Sequence, residues 1–241
     1  MEVIDEVNQT LFFFQRTILD LLPHLQQKIR QEFRNAFGAQ ELEIPPFLEF
    51  GSWVGADRDG NPFVTCEITK KTALLQKNLI LQKYLSYIED LIRKYSQSQV
   101  FVKTSRRLNE SLAEDAKLLP GLAKELGQFE SDEVYRKKFS FIHEKLQNTL
   151  KKKKPFYSGS EEFLEDLRVV RESLKTHQGL LAVIDMDRLI DVVRFFGFHL
   201  ARLDFRDHSK KIRGLFAELF PDSPFDVEFI QKKILSPVKL A

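Results

Sequence analysis

Twelve consecutive residues, Gly51-Ser52-Trp53-Val54-Gly55-Ala56-Asp57-Arg58-Asp59-Gly60-Asn61-Pro62, carry the densest chemistry in the sequence. They hold the only Trp, three Gly and an acid-base-acid triplet, a mixture that suits neither a helix interior nor a core strand and reads as a ligand-binding loop. Calcium is the first chemistry to test, because Asp57, Asp59 and Asn61 imitate positions 1, 3 and 5 of an EF-hand loop. The match ends there: position 6 is Pro62 instead of Gly and position 12 is Ile68 instead of Glu. A structural reading stands beside the binding one, in which Asp57 and Asp59 accept backbone N–H groups and pair Arg58 while Trp53 fills a gap in the core.

A second group lies far downstream. In an extended backbone Arg202, Asp204 and Arg206 share one face, with Leu203 and Phe205 on the other. Two guanidiniums facing the same way grip a phosphate or carboxylate bidentately, with Asp204 orienting one of them. The alternative is a surface ion-pair ladder of little energetic weight. His208, just past this strand, reads as a hydrogen-bonding bystander, and Cys66, with no His near it in sequence, as a small buried hydrophobe. Eight basic residues between Arg136 and Lys154 face a single acid, Glu144; without interleaved aromatics they read as a solvated helix end and loop, not a nucleic-acid surface.

Helices must position both groups. Leu11, Phe14, Ile18, Leu21, Leu25, Ile29 and Phe33 recur at three- or four-residue steps, as do Leu81, Leu85, Ile88, Ile92 and Tyr95. The same period runs through Phe139, Ile142, Leu146 and Leu150, and through Phe163, Leu167, Val170 and Leu174. These are packing stripes. Pro23 is expected to kink or divide the first helix. Thr65, Ser105, Ser131, Ser160 and Asp185 read as N-caps, Gly179 and Gly197 as C-caps, and Ser223-Pro224 as the start of a short helix. Two stretches break the period: residues 44–65, where Leu48-Glu49-Phe50 forms a short strand ahead of the tryptophan loop, and residues 198–208, the arginine strand. The expectation is a mainly α chain, a single helical segment over 1–241 with two short strands.

Composition sets the outer limits. A chain that is 43% hydrophobic and 30% charged is not disordered, and no apolar run is long enough to span a membrane. A net charge of +2 gives no global reason to expect nucleic acid, and a single Cys excludes an intramolecular disulfide framework and a Cys-rich metal site. With no apolar signal segment at Met1, the chain is expected in the cytoplasm.

The string G-S-W-V-G-A-D-R-D-G-N-P, followed by Val64-Thr65, resembles the G-S-W-M-G-G-D-R-D-G-N-P-x-V-T signature of the bacterial and plant phosphoenolpyruvate carboxylase family. Phe196-Gly197-Phe198-His199-Leu200-Ala201-Arg202-Leu203-Asp204-Phe205-Arg206 is similar to that family's F-G-x-x-L-x-x-L-D-I-R segment. Leu112-Ala113-Glu114-Asp115-Ala116 and Tyr135-Arg136-Lys137-Lys138 are lesser echoes between the two, so the resemblance covers essentially the whole chain. Ala56 departs from the family's Gly and Asp207 from its frequent Gln; a positive φ at position 56 would strain the alanine.

The resemblance implies part of a barrel of parallel strands wrapped by helices, with active residues at the strands' C-terminal ends. It implies that Arg206 binds the phosphate of phosphoenolpyruvate, that Trp53 lines an apolar pocket near the methylene carbon, and that Asp57, Arg58, Asp59, Gly60 and Asn61 shape the loop, with Arg202 and Asp204 in support. The family reaction joins bicarbonate to phosphoenolpyruvate with Mg2+, giving oxaloacetate and phosphate, an anaplerotic carbon fixation that feeds the tricarboxylic acid cycle. The family's T-A-H-P-T-E and H-G-R-G-G stretches and its acidic metal ligands have no counterpart here. The chain is therefore expected to be an internal segment of a longer, homotetrameric carboxylase, inactive alone, binding no metal itself and prone to self-association with or docking on the rest of the enzyme. The competing expectation is a helical interaction module derived from the enzyme. Neither reading calls for nucleic acid or membrane.

Overall fold

The computed structural model describes residues 2–38, 44–59, 61–95, 103–129, 132–178 and 183–221. Ser131, Gly179, Ser223 and Pro224, read above as caps or helix starts, lie outside these residues, as does Gly60. The described residues are mainly helical: α1 (Val3–Phe13), a π-helical turn (Phe14–Ile18), α2 (Leu19–Phe37), α3 (Cys66–Lys94), α4 (Arg106–Leu118), α5 (Pro120–Phe129), α6 (Val134–Lys151), α7 (Ser160–Gln178), α8 (Ile184–Phe196) and α9 (Ser209–Leu219). Two short parallel strands, β1 (Gly51–Ser52) and β2 (Arg202–Leu203), complete them. No helix among the described residues is long and apolar enough to cross a membrane.

Several boundaries follow from capping chemistry. The Thr65 hydroxyl accepts from the Ile68 N–H (3.3 Å) and the Ser105 hydroxyl from the Leu108 N–H (3.2 Å), satisfying amides that α3 and α4 leave without helical partners. Gly197 closes α8 at φ 51°, a left-handed value that favours glycine. Asp185 is not a cap: it sits inside the first turn of α8, whose N-cap is Val183, and there its charge favours the helix dipole. Cys66 is exposed at the start of α3, contrary to its reading as a core residue, because the capping turn holds the first residues of the helix in solvent.

The first stripe is corrected at the π turn. Pro23 lies within α2 without dividing it, and the irregularity sits upstream, at Phe14–Ile18. One extra residue in that turn shifts the helical phase, so burial runs through Val7, Leu11 and Phe14 and then through Leu19, Leu22 and Gln26. Leu21, Leu25 and Phe33, predicted inward by unbroken periodicity, are exposed. The other stripes hold, and Phe163, Leu167, Val170 and Leu174 are all fully or almost fully buried.

The core forms where α3 packs on α6, α2 on α8, and α7 on both α8 and α4. Inside it the basic run departs from its expected solvated role. Lys138 is 0% exposed, and its Nζ donates to Asp115 (2.7 Å), Asp166 (2.6 Å) and Ser111 (2.6 Å). Lys145 donates to the other oxygens of the same two carboxylates, and Tyr157 adds its hydroxyl to Asp166 (2.7 Å). Two ammoniums and two carboxylates thus form a closed, charge-balanced ring, which offsets the cost of removing them from water. Burial works against the Lys145 ammonium, yet Asp166 and Asp115 overcome it and raise its pKa. For Asp166, burial favours the neutral acid, but Lys138 and Lys145 hold its carboxyl below the ordinary value. The two lesser echoes in the sequence meet in this ring, one supplying Asp115 and the other Lys138. The solvated reading fits the far end of the run, where Lys151 to Lys154 are exposed.

Aromatic side chains fix the two strands to this core. Phe50, next to β1, stacks on Phe196 at 5.7 Å and meets Phe14 edge-on at 5.4 Å. Phe198, ahead of β2, packs among Tyr84, Tyr157 and Phe163 with ring centroids 6.1–6.5 Å apart. The buried Tyr84 hydroxyl donates to the Gly197 carbonyl (2.6 Å), linking α3 to the turn that launches β2. The Gln76 amide, oriented so that its nitrogen donates, reaches the Ala201 and His199 carbonyls at 3.1 and 3.2 Å.

Candidate functional site

The two chemically dense segments converge. Their parallel register pairs Gly51 with Arg202 and Ser52 with Leu203, and an isolated bridge pairs Asp57 with Arg206. The Arg202 N–H donates to the Phe50 carbonyl (2.8 Å), the Asp204 N–H to Ser52 (2.9 Å) and the Arg58 N–H to Arg206 (2.8 Å). Regular strand is shorter than the sequence implied. Leu48-Glu49-Phe50 lies outside β1, and only Arg202–Leu203 of the downstream stretch is strand, because the tryptophan turn interrupts the pairing before it resumes at Asp57.

Two glycines allow this approach. Gly51 passes Asp204 so closely that a Cβ would lie 3.3 Å from its carboxylate. Gly55 has φ +80°, and a Cβ there would fall 2.2 Å from the Thr72 hydroxyl. Gly55 therefore takes the left-handed position in the turn. Ala56 is not among the positive-φ residues and is fully buried, so it carries no such strain.

Within this frame the Arg206 guanidinium lies 4.9 Å from the centroid of the Trp53 ring, a cation–π contact. Trp53 is 55% exposed, which excludes its reading as a core filler. A shallow cavity of about 340 Å3 beside Arg206 is lined by Arg58, Lys211 and Asp207 together with the apolar Phe205, Ile212 and Leu215. Trp53 flanks Arg206 without lining this cavity. The Nε of Arg58 is buried without a hydrogen-bond partner, while its Nη2 reaches the Thr69 hydroxyl at 3.5 Å. Asp207 accepts the His208 N–H (2.7 Å) and pairs Lys211 (3.2 Å); the backbone N–H is the larger cause holding its carboxyl below the ordinary value.

The remaining sequence candidates divide. Asp57 accepts the Asp59 N–H (3.1 Å) and Asn61 accepts the Phe63 N–H (3.0 Å), so both shape the loop by side-chain turns. Neither Asp57 nor Asp59 pairs Arg58 among the described residues, where the nearest role for Arg58 is the Thr69 contact. Arg202 and Arg206 do not act as one clamp. Arg202 pairs Glu49 (2.8 Å) at the surface, Arg206 turns to Trp53, and Asp204 forms no ion pair among the described residues. The interruption of the strand at residues 204–205 separates them. His208 keeps the bystander role, its Nδ1 accepting the Lys210 N–H (3.2 Å) as the N-cap of α9.

Sequence reasoning missed Lys211, although the Asp207/Lys211 spacing of four residues at a helix start was a usable signal. It also missed the buried lysines. Lys138 and Lys145 stand seven residues apart with Ile142 between them, on the apolar stripe of α6, so their shared face was legible where their burial was not. Among the described residues no three His, Cys, Asp or Glu side chains come together as a group that could hold a metal ion.

A family model described as phosphoenolpyruvate carboxylase matches residues 1–227. The phosphoenolpyruvate carboxylase of Synechocystis sp. is 35% identical over 234 residues, which cover 90% of this chain and 22% of the relative. That of Rhodothermus marinus is 38% identical over 226 residues, covering 90% and 24%. That of Roseiflexus castenholzii is 33% identical over 234 residues, covering 90% and 25%. The chain spans about a quarter of the length of these relatives.

Proposed function

Because the chain belongs to the phosphoenolpyruvate carboxylase family, we propose that it supplies one wall of a site that joins bicarbonate to phosphoenolpyruvate, giving oxaloacetate and phosphate. The observation that carries this reading is the meeting of Trp53 and Arg206, distant in sequence, at one exposed corner with the guanidinium 4.9 Å from the ring. Arg206 binds the substrate phosphate. As bicarbonate attacks phosphorus, negative charge gathers on the phosphoryl oxygens, and a guanidinium held by backbone pairing and by the indole stabilises it with little reorganisation. The indole also covers the methylene carbon of the enolate and keeps water from it while carbon dioxide adds.

The family implies a divalent metal, but no suitable carboxylate cluster stands among the described residues. The chemistry assigned to this segment is accordingly anion binding and shielding. The exposed Trp53, against Arg206, and Phe205, in the cavity beside it, favour completion of the wall by another part of the carboxylase. The 241-residue chain alone binds phosphoenolpyruvate weakly and does not turn it over. Since Trp53 is the only Trp, its fluorescence reports the corner directly. Titration with phosphoenolpyruvate is expected to change it, and Arg206→Ala to abolish the change. An unaltered response in the variant overturns the assignment of Arg206, and oxaloacetate formation by the isolated chain, read through a coupled dehydrogenase, overturns the claim of inactivity.

A further inference from the structure

Just ahead of β2, on the path to Arg206, the backbone takes a conformation that leucine rarely adopts. Leu200 has φ 66°, in the left-handed region, and is 1% exposed. The Ala201 N–H donates back to the His199 carbonyl (2.8 Å), closing a three-residue turn about Leu200, a γ-turn of the rare and strained hand. Such strain persists only where the surroundings over-determine it, and it gathers at functional sites. Here α3 supplies the clamp: the Gln76 amide nitrogen donates to the carbonyls on both sides of Leu200, Ala201 at 3.1 Å and His199 at 3.2 Å. Gln76 is 5% exposed and belongs to a buried polar face of α3 that meets both segments of the corner. On that face the Thr69 hydroxyl accepts from Arg58, Thr72 lies against Gly55, and Tyr84 donates to the Gly197 carbonyl.

We propose that Gln76 is a positioning residue for Arg206, holding the turn at Leu200 in the conformation from which β2 aims the guanidinium at Trp53. From that turn the chain runs directly into the parallel ladder, with the Arg202 N–H on the Phe50 carbonyl (2.8 Å) and the Asp204 N–H on Ser52 (2.9 Å). The Arg206 N–H reaches the Ala56 carbonyl only at 3.4 Å, so the ladder holds its far end less firmly than its start, and the direction set at the turn decides where the guanidinium lies. A return of Leu200 to negative φ would swing the strand that follows. Gln76 opposes it, because an amide nitrogen carries two hydrogens and gives one to each carbonyl, so relaxing the turn breaks both bonds. Neither Gln76 nor Leu200 lines the cavity beside Arg206, and the effect passes through the backbone. Its bearing on phosphoenolpyruvate rests on the reading of Arg206 as a substrate ligand; its bearing on the contact between Arg206 and Trp53 does not.

Because Trp53 is the only Trp, its indole N–H gives a single nuclear magnetic resonance signal, and a guanidinium 4.9 Å from the ring centroid influences it directly. Gln76→Met keeps the length of the side chain and removes both donors. Gln76→Asn, the milder change, keeps the amide and draws it back by one methylene. Leu108→Ala, at a fully buried position on α4, is the control for general loosening of the core. The 241-residue chains are compared at a temperature where far-ultraviolet circular dichroism shows each one folded. Gln76→Met is expected to move the indole signal toward its position in Arg206→Ala, Gln76→Asn to move it part of the way, and Leu108→Ala to leave it at the parent position. Phosphoenolpyruvate, titrated against the same signal, is expected to bind Gln76→Met about tenfold more weakly than the parent, equivalent to about 1.4 kcal/mol, and Leu108→Ala as well as the parent. An unmoved indole signal in whichever Gln76 variant is folded overturns the proposal. So does an equal displacement in Leu108→Ala, which would mark Gln76 as a stabilising residue only. A parent chain that does not bind phosphoenolpyruvate refutes the substrate reading of the corner, while the ligand-free signal still decides the role of Gln76.

Discussion

Replacing Asp166 by Asn removes one charge from the buried ring and leaves its shape almost intact. In the intact ring Lys138 and Lys145 each face both Asp115 and Asp166, so the four formal charges cancel. Asp166→Asn leaves two ammoniums sharing Asp115, with Lys138 0% exposed and unable to reach water. Breaking a buried pair on one side costs about 3–5 kcal/mol, a large share of the roughly 5–15 kcal/mol that stabilises a typical domain. Lys138→Met, the opposite deletion, leaves two carboxylates on Lys145 and is expected to cost a similar amount. The double variant restores balance, because Lys145 and Asp115 remain paired at 2.8 Å. It is expected to be more stable than the sum of the two single losses predicts, by at least about 1 kcal/mol, well outside the additivity of about 0.3–0.5 kcal/mol expected of independent sites. Urea unfolding of the four proteins, with slopes compared to confirm a common transition, measures the cycle. Single losses below about 1 kcal/mol, or strict additivity, would refute the claim that charge balance governs this part of the core.

The same ring sets a pH window. Asp166 has a lowered pKa, so its contribution is present above the unfolded carboxylate value of about 4 and is lost as pH falls through the lower folded value. Lys145 has a raised pKa, so its contribution is complete below the unfolded value of about 10.4 and is lost as pH rises through the higher folded value. Denaturation midpoints across pH are expected to be flatter in Asp166→Asn on the acid side; an unchanged acid limb contradicts this. Gly55→Ala combines a left-handed alanine, about 1–2 kcal/mol, with the close approach to Thr72, and is expected to lower Tm by several degrees, part of which Thr72→Ala restores. A Tm for Gly55→Ala equal to that of the parent refutes the need for glycine in this turn. Ala56→Gly is expected to give no gain in Tm, since Ala56 has no positive φ to relieve and glycine adds unfolded-state entropy; a clear stabilisation contradicts it.

Much of this protein was legible along the chain. Periodicity located most helices because burying one face requires apolar residues at the helical repeat whatever the partner is. Thr65, Ser105 and Gly197 marked boundaries through local hydrogen bonding and local backbone freedom, which need no distant residue. The tryptophan loop and the arginine stretch stood out as chemistry because their residue types suit no core. Tertiary structure decided what those residues face. The π turn at Phe14–Ile18 moved the buried face of α2, since one extra residue rotates everything after it and periodicity read locally assumes an unbroken helix. Lys138 and Lys145 read as surface charges because each alone is too costly to bury; Asp115 and Asp166, from two other helices, make burial possible. Arg202 and Arg206 share a face only in an uninterrupted strand, and the turn at Trp53 parts them, giving one to Glu49 and the other to the indole. Sequence fixes what each residue is able to do, while the charges and rings that meet it come from chain segments whose arrival only the packed core determines.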